Sequence, residues 1–304
     1  MNVTKSLLAL FTISFLFLPM SAHAERMSRE EMIKKYDSNK DGRLSKDEIE
    51  VFRKEMQKTR PKPPSKDKPK PIRVDQSFIK PEVFELPDSV FQKTTSIKQK
   101  YLFFSQQTLK KGKQAPLIIY LHGSGGHKRD IQTYQNTRLG GLISENKYPF
   151  TLAIPQFKPN SGVANGWKPS DLDLFLDHLI SNHQVDAKNI FVTGHSMGGA
   201  GTFMWANSSA SSLTAICPSA AGGATEPKGE LPIQAENFKY LPVWAFHGSA
   251  DPVCDPVRIS NFVDEINSLG GNAKMMIYEG KSHNINIFAD ANNNPLKWFL
   301  SHLR

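Results

Sequence analysis

One stretch decides how the chain is interpreted: Asn189–Ala206, with the sequence NIFVTGHSMGGAGTFMWA. Its first part, Ile190–Thr193, is apolar and β-branched, as buried strands are. Its last part, GAGTFMWA, is compatible with a helix packed against a sheet. Between them, the turn Gly194-His195-Ser196-Met197-Gly198 sets a serine between two glycines, which leave room for the close approach of strand and helix. The stretch therefore predicts a strand, a sharp turn that exposes the Ser196 hydroxyl, and a helix.

A serine on such a turn, the nucleophile elbow, is placed to attack a carbonyl carbon. The helix that follows favours negative charge near its first amides, so the amide of Met197 is one expected donor of an oxyanion hole. A glycine-rich turn, Leu121–Gly126 (LHGSGG), follows a predicted buried strand and can supply the second donor. We expect this donor to be the amide of Ser124, with Gly125 as the alternative.

An acid and a base for the serine come later in the chain, in the order Ser…Asp…His. Asp251 follows the apolar strand pattern around Phe246 and is the expected acid. Asp255 is the alternative, although its position before a proline is typical of a helix cap. Only His283 and His302 follow both serine and acid, and His302 lies in a predicted terminal helix. His283, in a turn after the last predicted strand, is therefore the expected base.

From about Pro116 to the C-terminus, the chain resembles the α/β-hydrolase esterases grouped with dienelactone hydrolases, phospholipase/carboxylesterases and polyhydroxybutyrate-depolymerase-like enzymes. The resemblance is carried by LHGSGG, Gly166-Trp167, VDAKNIFVTGHSMGG, PVWAFHGSADPV and Ser282-His283. It implies the triad Ser196, Asp251 and His283, with Ser124 and Met197 at the oxyanion hole. Asn284 stands where relatives often carry Asp, which bears on the lining of the substrate pocket. Trp167 is a second pocket candidate, with core packing as its alternative. Some relatives are described as predicted peptidases, so the resemblance leaves ester against amide open.

From Gln76 onward, strand patterns alternate with helical ones, which predicts a mostly parallel sheet with helices on both faces. The expected strands are Phe91–Ile97 and Lys100–Gln106 as an antiparallel opening pair, then Pro116–Leu121, Phe150–Pro155, Asn189–Thr193, Leu213–Cys217, Pro242–Phe246 and Lys274–Tyr278. The expected helices are Asp171–Asn182, Gly198–Ala206, Asp255–Leu269 and Asn294–Leu303. Ligands of such sheets bind beyond the carboxyl ends of the strands.

Residues 25–57 resemble a single EF-hand, a small helical calcium-binding module, because DSNKDGRLSKDE supplies oxygen ligands at the spacing of its loop. The expected calcium ligands are Asp37, Asn39, Asp41, the carbonyl of Arg43, Ser45 directly or through water, and Glu48 with two oxygens. The alternative is an acidic helical hairpin that binds no metal. A calcium ion here would be structural or regulatory, and no cofactor is expected in catalysis.

The chain begins with Lys5 before an apolar run and small residues up to Ala24, which predicts a signal peptide over residues 1–24 and an exported, periplasmic or secreted protein. A retained membrane anchor is the alternative. Residues 58–75 alternate Pro and Lys and hold seven Lys or Arg against two Asp, so they predict an extended linker before a catalytic domain at 76–304. Much of the net charge of +9 therefore lies in one linker, and no motif predicts a nucleic-acid partner.

Together these patterns predict an exported serine hydrolase that cleaves small-molecule or polymer-linked carboxylic esters through an acyl-enzyme, such as esters on polysaccharides. Two alternatives stay open: a serine peptidase of the prolyl-oligopeptidase type, and a calcium-dependent surface-binding protein with an inactive hydrolase domain. Two cysteines, Cys217 and Cys254, are predicted near neighbouring strand ends, where either a disulfide or two buried thiols is compatible with export.

Overall fold

The computed structural model describes residues 29–40, 45, 47–48, 51, 74–159, 166–222, 233–290 and 292–304. The strands are β1 Ile79–Glu85, β2 Ile97–Gln106, β3 Ala115–Leu121, β4 Thr151–Phe157, β5 Val185–His195, β6 Ala215–Ser219, β7 Val243–Gly248 and β8 Ala273–Tyr278. The helices are α1 Arg29–Tyr36, α2 Asp88–Phe91, α3 Arg138–Glu145, α4 Pro169–Asn182, α5 Met197–Ser209, α6 Pro256–Ser268 and α7 Pro295–Leu300. The predicted signal peptide and most of the predicted linker lie outside the described residues.

All eight strands form one sheet in the order β1-β2-β4-β3-β5-β6-β7-β8. β1 pairs with β2, and β2 with β4, in antiparallel fashion, whereas the pairs from β4 through β3 to β8 are parallel. The carboxyl ends of the parallel strands therefore meet at one edge of the sheet. The turns that follow β3, β5, β7 and β8 carry the predicted oxyanion turn, serine, acid and histidine, so the topology places all four at this edge.

Helices cover both faces of the sheet, as the sequence predicts. Alternate residues of β3 show why: Leu117 and Ile119 face the core beneath α4, α5 and α6, whereas Ile118 faces the core beneath α3 and α7. All three side chains are fully buried. A strand buried on both faces has no solvent side, which explains the continuous apolar run in its sequence.

Two elements at the start of the sheet differ from the predictions. Phe91–Ile97 is not a strand: Asp88–Phe91 is a short helix, and the chain turns before β2. The first strand is instead β1, whose sequence IKPEVFE contains Pro81 and three charged residues. A strand at the edge of a sheet pairs on one side only, so it tolerates a proline. Its apolar pattern is therefore weaker in the sequence. Helix α3 was also not predicted, because Gly140 and Gly141 interrupt its pattern.

The N-terminal helix contacts the edge of the sheet, and the two cysteines are not bridged. Helix α1 lies against β8, and Tyr36 at its end is buried. Cys217 and Cys254 are both buried free thiols, which decides between the two possibilities left open by the sequence. Within the part of the chain that the structure describes, no helix combines the length and apolar character needed to cross a bilayer.

Candidate active site

Ser196 occupies a strained turn between β5 and α5. Its backbone has φ 57° and ψ −118°, a left-handed conformation that non-glycine residues rarely adopt. The flanking glycines are required sterically, because a Cβ on Gly194 would lie 2.3 Å from the carbonyl oxygen of Gly198. A Cβ on Gly198 would lie 1.8 Å from the carbonyl oxygen of Leu121. The predicted strand–turn–helix is therefore confirmed, and the serine projects from the tip of its turn.

His283 connects Ser196 to Asp251. Its Nε2 lies 2.8 Å from Ser196 Oγ, and its Nδ1 lies 2.8 Å from Asp251 Oδ2. Because the carboxylate accepts at Nδ1, that nitrogen carries the hydrogen, which leaves Nε2 to accept from the serine hydroxyl. The Asp251 side chain is fully buried, whereas that of His283 is 15% exposed toward the cleft. The three side chains thus converge as the sequence predicts, and Asp255 is instead the N-cap of α6, accepting from the amide of Val257.

The carboxylate of Asp251 accepts four hydrogen bonds. The amides of Val253 and Cys254 donate to Oδ1 at 2.8 and 3.0 Å, and His247 Nε2 lies 3.0 Å from Oδ2, beside the bond from His283. Burial raises the pKa of the Asp251 carboxyl, but these hydrogen bonds outweigh burial and hold the pKa well below its usual range. Asp251, Cys254 and His283 cluster closely enough to suggest a metal site. The carboxylate oxygens are already filled by donors, so the cluster fits a triad acid better than a metal ligand.

His247 is a part of the site that the sequence analysis did not identify. It lies within β7 and not in a loop, and its ring is fully buried. Its Nε2 faces two acceptors, Asp251 Oδ2 and the carbonyl oxygen of Cys254 at 3.2 Å, so this nitrogen carries the hydrogen. The spacing of four residues from His247 to Asp251 is the one signal in the sequence that could have pointed to the contact.

The predicted oxyanion turn lies directly against the serine. A Cβ on Gly123 would be 3.4 Å from the Cβ of Ser196. Ser124 begins a 3₁₀ helix whose first hydrogen bond is donated by the amide of Gly126 to the carbonyl of Gly123, so the amides of Ser124 and Gly125 precede the internal bonds. Met197 is in the same situation at the start of α5. The structure therefore keeps both Ser124 and Gly125 as possible partners of Met197.

Two buried aromatic side chains lie at this turn. His122 is buried: its Nδ1 donates to the carbonyl of Gly123 at 2.7 Å, and its Nε2 accepts from the amide of Phe157 at 3.0 Å. Burial lowers the pKa of His122 to about 4, which agrees with a packing role. For Trp167 the structure supports core packing, which was the alternative to a place in the pocket. It is 2% exposed, and its indole N–H donates to the carbonyl of His122, so it supports the turn from behind.

A cleft opens in front of Ser196 and His283. Its other prominent lining side chains are Tyr120, Arg129, Tyr134, His195 and, as predicted, Asn284. The His195 ring lies 5.1 Å from that of His283, and burial lowers the pKa of His195 to about 4, with His283 acting in the same direction. Arg129 and the two tyrosines were not identified from the sequence, because only the fold brings their loop and strand to the serine.

At the N-terminal module, the described residues place the two ends of the predicted calcium loop around Glu48. Glu48 Oε1 accepts from the amide and hydroxyl of Ser38, at 2.7 and 2.6 Å, and from the amide of Asn39. Glu48 Oε2 accepts from the amide and hydroxyl of Ser45. These bonds lower the pKa of Glu48 to about 2, and the bond from the Ser38 hydroxyl has the largest effect. Asp37 follows α1 directly, whereas Asp41 and Arg43 lie outside the described residues.

A protein-family model matches part of this chain. Residues 165–288, which include Ser196, Asp251 and His283, match the family model described as Phospholipase/Carboxylesterase. No curated protein sequence matches the chain significantly. The match agrees with the prediction of a hydrolase of the carboxylesterase type.

Several solved structures share the architecture. A thermostable esterase has a TM-score of 0.51 at 20% identity, over 76% of this chain and 61% of that one. A protein described as a dipeptidyl aminopeptidase IV, from Bacteroides ovatus, has a TM-score of 0.55 at 15% identity, over 74% of this chain and 35% of that one. A ferulic acid esterase has a TM-score of 0.52 at 15% identity, over 73% of this chain and 98% of that one. The chain thus spans about three fifths of the length of the thermostable esterase and about one third of the length of the dipeptidyl aminopeptidase IV. At such identities the likeness shows the α/β-hydrolase fold.

Proposed function

We propose that this chain is an exported serine hydrolase that cleaves carboxylic esters, with Ser196 as nucleophile, His283 as base and Asp251 as the acid that orients it. One observation carries the proposal: His283 lies at hydrogen-bond distance from both the Ser196 hydroxyl and the buried Asp251 carboxylate. The match of residues 165–288 to phospholipases and carboxylesterases supports ester chemistry in particular.

In the first half of the reaction, Ser196 Oγ attacks the ester carbonyl carbon while His283 Nε2 takes the hydroxyl proton. The resulting imidazolium is stabilised by Asp251, which also holds the Nδ1 hydrogen toward itself. Negative charge then develops on the carbonyl oxygen, close to the amides of Met197 and of Ser124 or Gly125. His283 returns its proton to the alcohol oxygen, the C–O bond breaks, and the acyl group remains on Ser196.

In the second half, water enters the cleft and gives a proton to His283 Nε2 as its oxygen attacks the acyl carbon. The same amides stabilise the second oxyanion. His283 then protonates Ser196 Oγ, which releases the carboxylic acid and restores the starting state. The left-handed backbone at Ser196 supports this cycle, because it fixes the hydroxyl beside the oxyanion donors before substrate binds.

A fluorophosphonate probe tests the nucleophile, since it reacts with activated serines. We expect the wild-type chain to be labelled at Ser196 and the Ser196→Ala variant to be unlabelled. Ser268→Ala, which removes an exposed hydroxyl at the end of α6, is the matched control and should label like wild type. Equal labelling of wild type and Ser196→Ala would reject Ser196 as nucleophile. No labelling of folded wild type would favour the calcium-dependent binding protein with an inactive hydrolase domain.

A peptidase of the prolyl-oligopeptidase type is the second candidate, favoured by the structural likeness to the dipeptidyl aminopeptidase IV. An amide nitrogen leaves less readily than an ester oxygen, so the two activities separate when p-nitrophenyl esters and p-nitroanilides of matched acyl groups are compared. We expect kcat/KM for the esters to exceed that for the anilides by several orders of magnitude. Comparable values for both substrates would support the peptidase.

We also propose that the N-terminal module binds Ca²⁺ through Asp37, Asn39, Asp41, the Arg43 carbonyl, Ser45 and Glu48. The donor set fits the ion: these are oxygen ligands, and the acidic Glu48 lies between both ends of the loop. Calorimetry on the full chain should give heat on adding calcium. Glu48→Gln should weaken binding at least tenfold, whereas Asp47→Asn, an exposed neighbour, should not. Absence of heat in the wild type would reject the site.

Export and a polymer-linked substrate complete the proposal. The N-terminal run up to Ala24 and the Pro/Lys-rich segment at 58–75 support export and an extended spacer before the hydrolase. In a bacterial host that processes the full chain, N-terminal sequencing of exported material should begin at Glu25. Retention of Met1 would reject cleavage. Release of acetate or ferulate from esterified polysaccharide, absent with Ser196→Ala, would support the polymer substrate, and turnover of small esters alone would reject it.

A further inference from the structure

The cleft beside Ser196 presents both aromatic rings and hydrogen-bonding groups. Its lining consists of backbone from the turn after β3, together with tyrosine, histidine, asparagine and arginine side chains. Among the described residues that line it, none has an aliphatic side chain. The apolar surface of the cleft is therefore aromatic, and a charged or hydrogen-bonding group on a substrate would meet several donors.

Among the described residues that line the cleft, Arg129 is the one that carries a full positive charge. In the described parts of the chain, no carboxylate lies within ion-pair distance of its guanidinium. Its sequence neighbour Asp130 is engaged elsewhere, because Oδ1 of Asp130 caps the next 3₁₀ helix by accepting from the amide of Gln132 at 2.9 Å. A cation in the cleft of the serine that has no counter-ion among the described residues is available to a substrate anion.

Two phenol groups face the same cation. Burial raises the pKa of Tyr120 to about 12 and also raises that of Tyr134, while the guanidinium of Arg129 acts on both in the opposite direction. Both tyrosines line the same cleft as Arg129, so their neutral hydroxyls offer further donors there.

The backbone of Arg129 is anchored to the turn that carries the oxyanion amides. Gln156, buried in β4, donates from Nε2 to the carbonyl of Arg129 at 2.6 Å and to that of Gly126 at 3.3 Å. The amide of Arg129 donates to the carbonyl of Gly126 at 3.2 Å. The turn that carries the oxyanion amides and the residue that carries the charge are therefore one supported unit.

We propose that Arg129, with Tyr120 and Tyr134, forms a carboxylate subsite, so that the preferred substrates are short esters that also carry a carboxylate. This inference rests on the proposed esterase function. The planar guanidinium matches a carboxylate with two parallel N–H···O bonds, and the phenols add donors from the side. The subsite selects by charge on the substrate, and Ser196 cleaves the ester held next to it.

The test compares each anionic ester with its neutral carboxamide. One pair, 3-acetoxybenzoate and 3-acetoxybenzamide, places the charge on the alcohol side. The other pair, the 4-nitrophenyl monoester of adipic acid and its terminal amide, places the charge on the acyl side. In wild type we expect kcat/KM for the acid to exceed that for the amide by about 10- to 100-fold in one pair at least, the range expected of a charge-assisted bidentate bond.

Three variants locate the effect. Arg129→Gln should remove the preference for the acid over the amide, mainly by raising KM for the acid. Tyr134→Phe should reduce the preference by a smaller factor. Lys128→Gln, which removes the neighbouring exposed cation outside the lining, is the matched control and should keep the preference.

Other outcomes overturn the subsite. Equal loss of preference with Lys128→Gln and Arg129→Gln would mean that only the general positive field acts, and an unchanged ratio in Arg129→Gln would mean that the charge is not used. If none of these esters is turned over, protection of Ser196 from the fluorophosphonate probe gives the same comparison. Benzoate should then protect wild type but not Arg129→Gln, and equal protection by benzamide would reject the subsite. Failure of the esterase proposal itself is distinct, because Ser196 would not be labelled at all.

Discussion

Replacing Asp251 by Asn tests whether Asp251 is the acid of the triad. It also distinguishes Asp251 from Asp255, the alternative acid in the sequence. The four donors around Asp251 decide the outcome. If the Asn carbonyl oxygen takes the place of Oδ1 and keeps the two backbone amides, its NH₂ group must face His247 and His283. His283 Nδ1 must then accept, its hydrogen moves to Nε2, and Nε2 no longer accepts from the Ser196 hydroxyl.

The opposite orientation of the Asn side chain is worse for stability. Its NH₂ group would face the amides of Val253 and Cys254, leaving two buried donors without acceptors at about 1–3 kcal/mol each. The first orientation is therefore favoured, and it still deprives the Cys254 carbonyl of its bond from His247. We expect kcat/KM for an aryl ester to fall by about 10⁴, as a wrong histidine tautomer does in a Ser-His-Asp triad. The free energy of unfolding should fall by about 2–4 kcal/mol.

The assay measures ester hydrolysis, the rate of fluorophosphonate labelling, and unfolding in urea. Asp255→Asn is the matched control, because asparagine also caps helices well and should keep activity within twofold and stability within about 0.5 kcal/mol. Loss of activity in Asp255→Asn with full activity in Asp251→Asn would refute the assignment. So would a labelling rate in Asp251→Asn equal to that of wild type.

The remaining predictions concern stability. Gly198→Ala should abolish soluble expression or labelling, because its Cβ would lie 1.8 Å from the Leu121 carbonyl oxygen; a stable, labelled variant would contradict this. Asp171→Asn should lower the unfolding free energy by about 2–4 kcal/mol, since its buried carboxylate accepts several amide and hydroxyl bonds, whereas exposed Asp177→Asn should change little. Because folding lowers the pKa of His122 to about 4, the unfolded chain binds a proton that the folded chain does not between about pH 6.5 and 4. The free energy of unfolding measured in urea should therefore fall by up to about 3 kcal/mol as the pH is lowered from about 6.5 to 4. The same profile should be flatter in His122→Gln.

The parts of the molecule that follow from local sequence were predicted well. A strand buried on both faces must be continuously apolar, and a glycine-flanked serine between such a strand and a small-residue helix has few alternatives. The order of Ser196, Asp251 and His283 along the chain then follows from the order of the strand ends. For the same reason, Asp255 before Pro256 was correctly expected to cap a helix.

What was not predicted depends on contacts between distant segments. The edge strand β1 contains a proline that only its unpaired side tolerates, so its sequence gives a weak strand signal. Trp167 could face either the cleft or the core, and the choice depends on the carbonyl of His122 that accepts its indole N–H. Arg129 is an ordinary loop arginine in the sequence, and it becomes notable only because Gln156 of β4 holds its backbone beside the serine.

Gln156 also limits how this enzyme can be altered. One amide group supports the turn that stabilises the reacting oxygen and the residue proposed to choose the substrate. Replacing it should change turnover and selectivity together, so neither property is independently adjustable through that position. Attempts to redirect the enzyme toward neutral esters are better made at the tip of the Arg129 side chain, where the support beneath the turn remains intact.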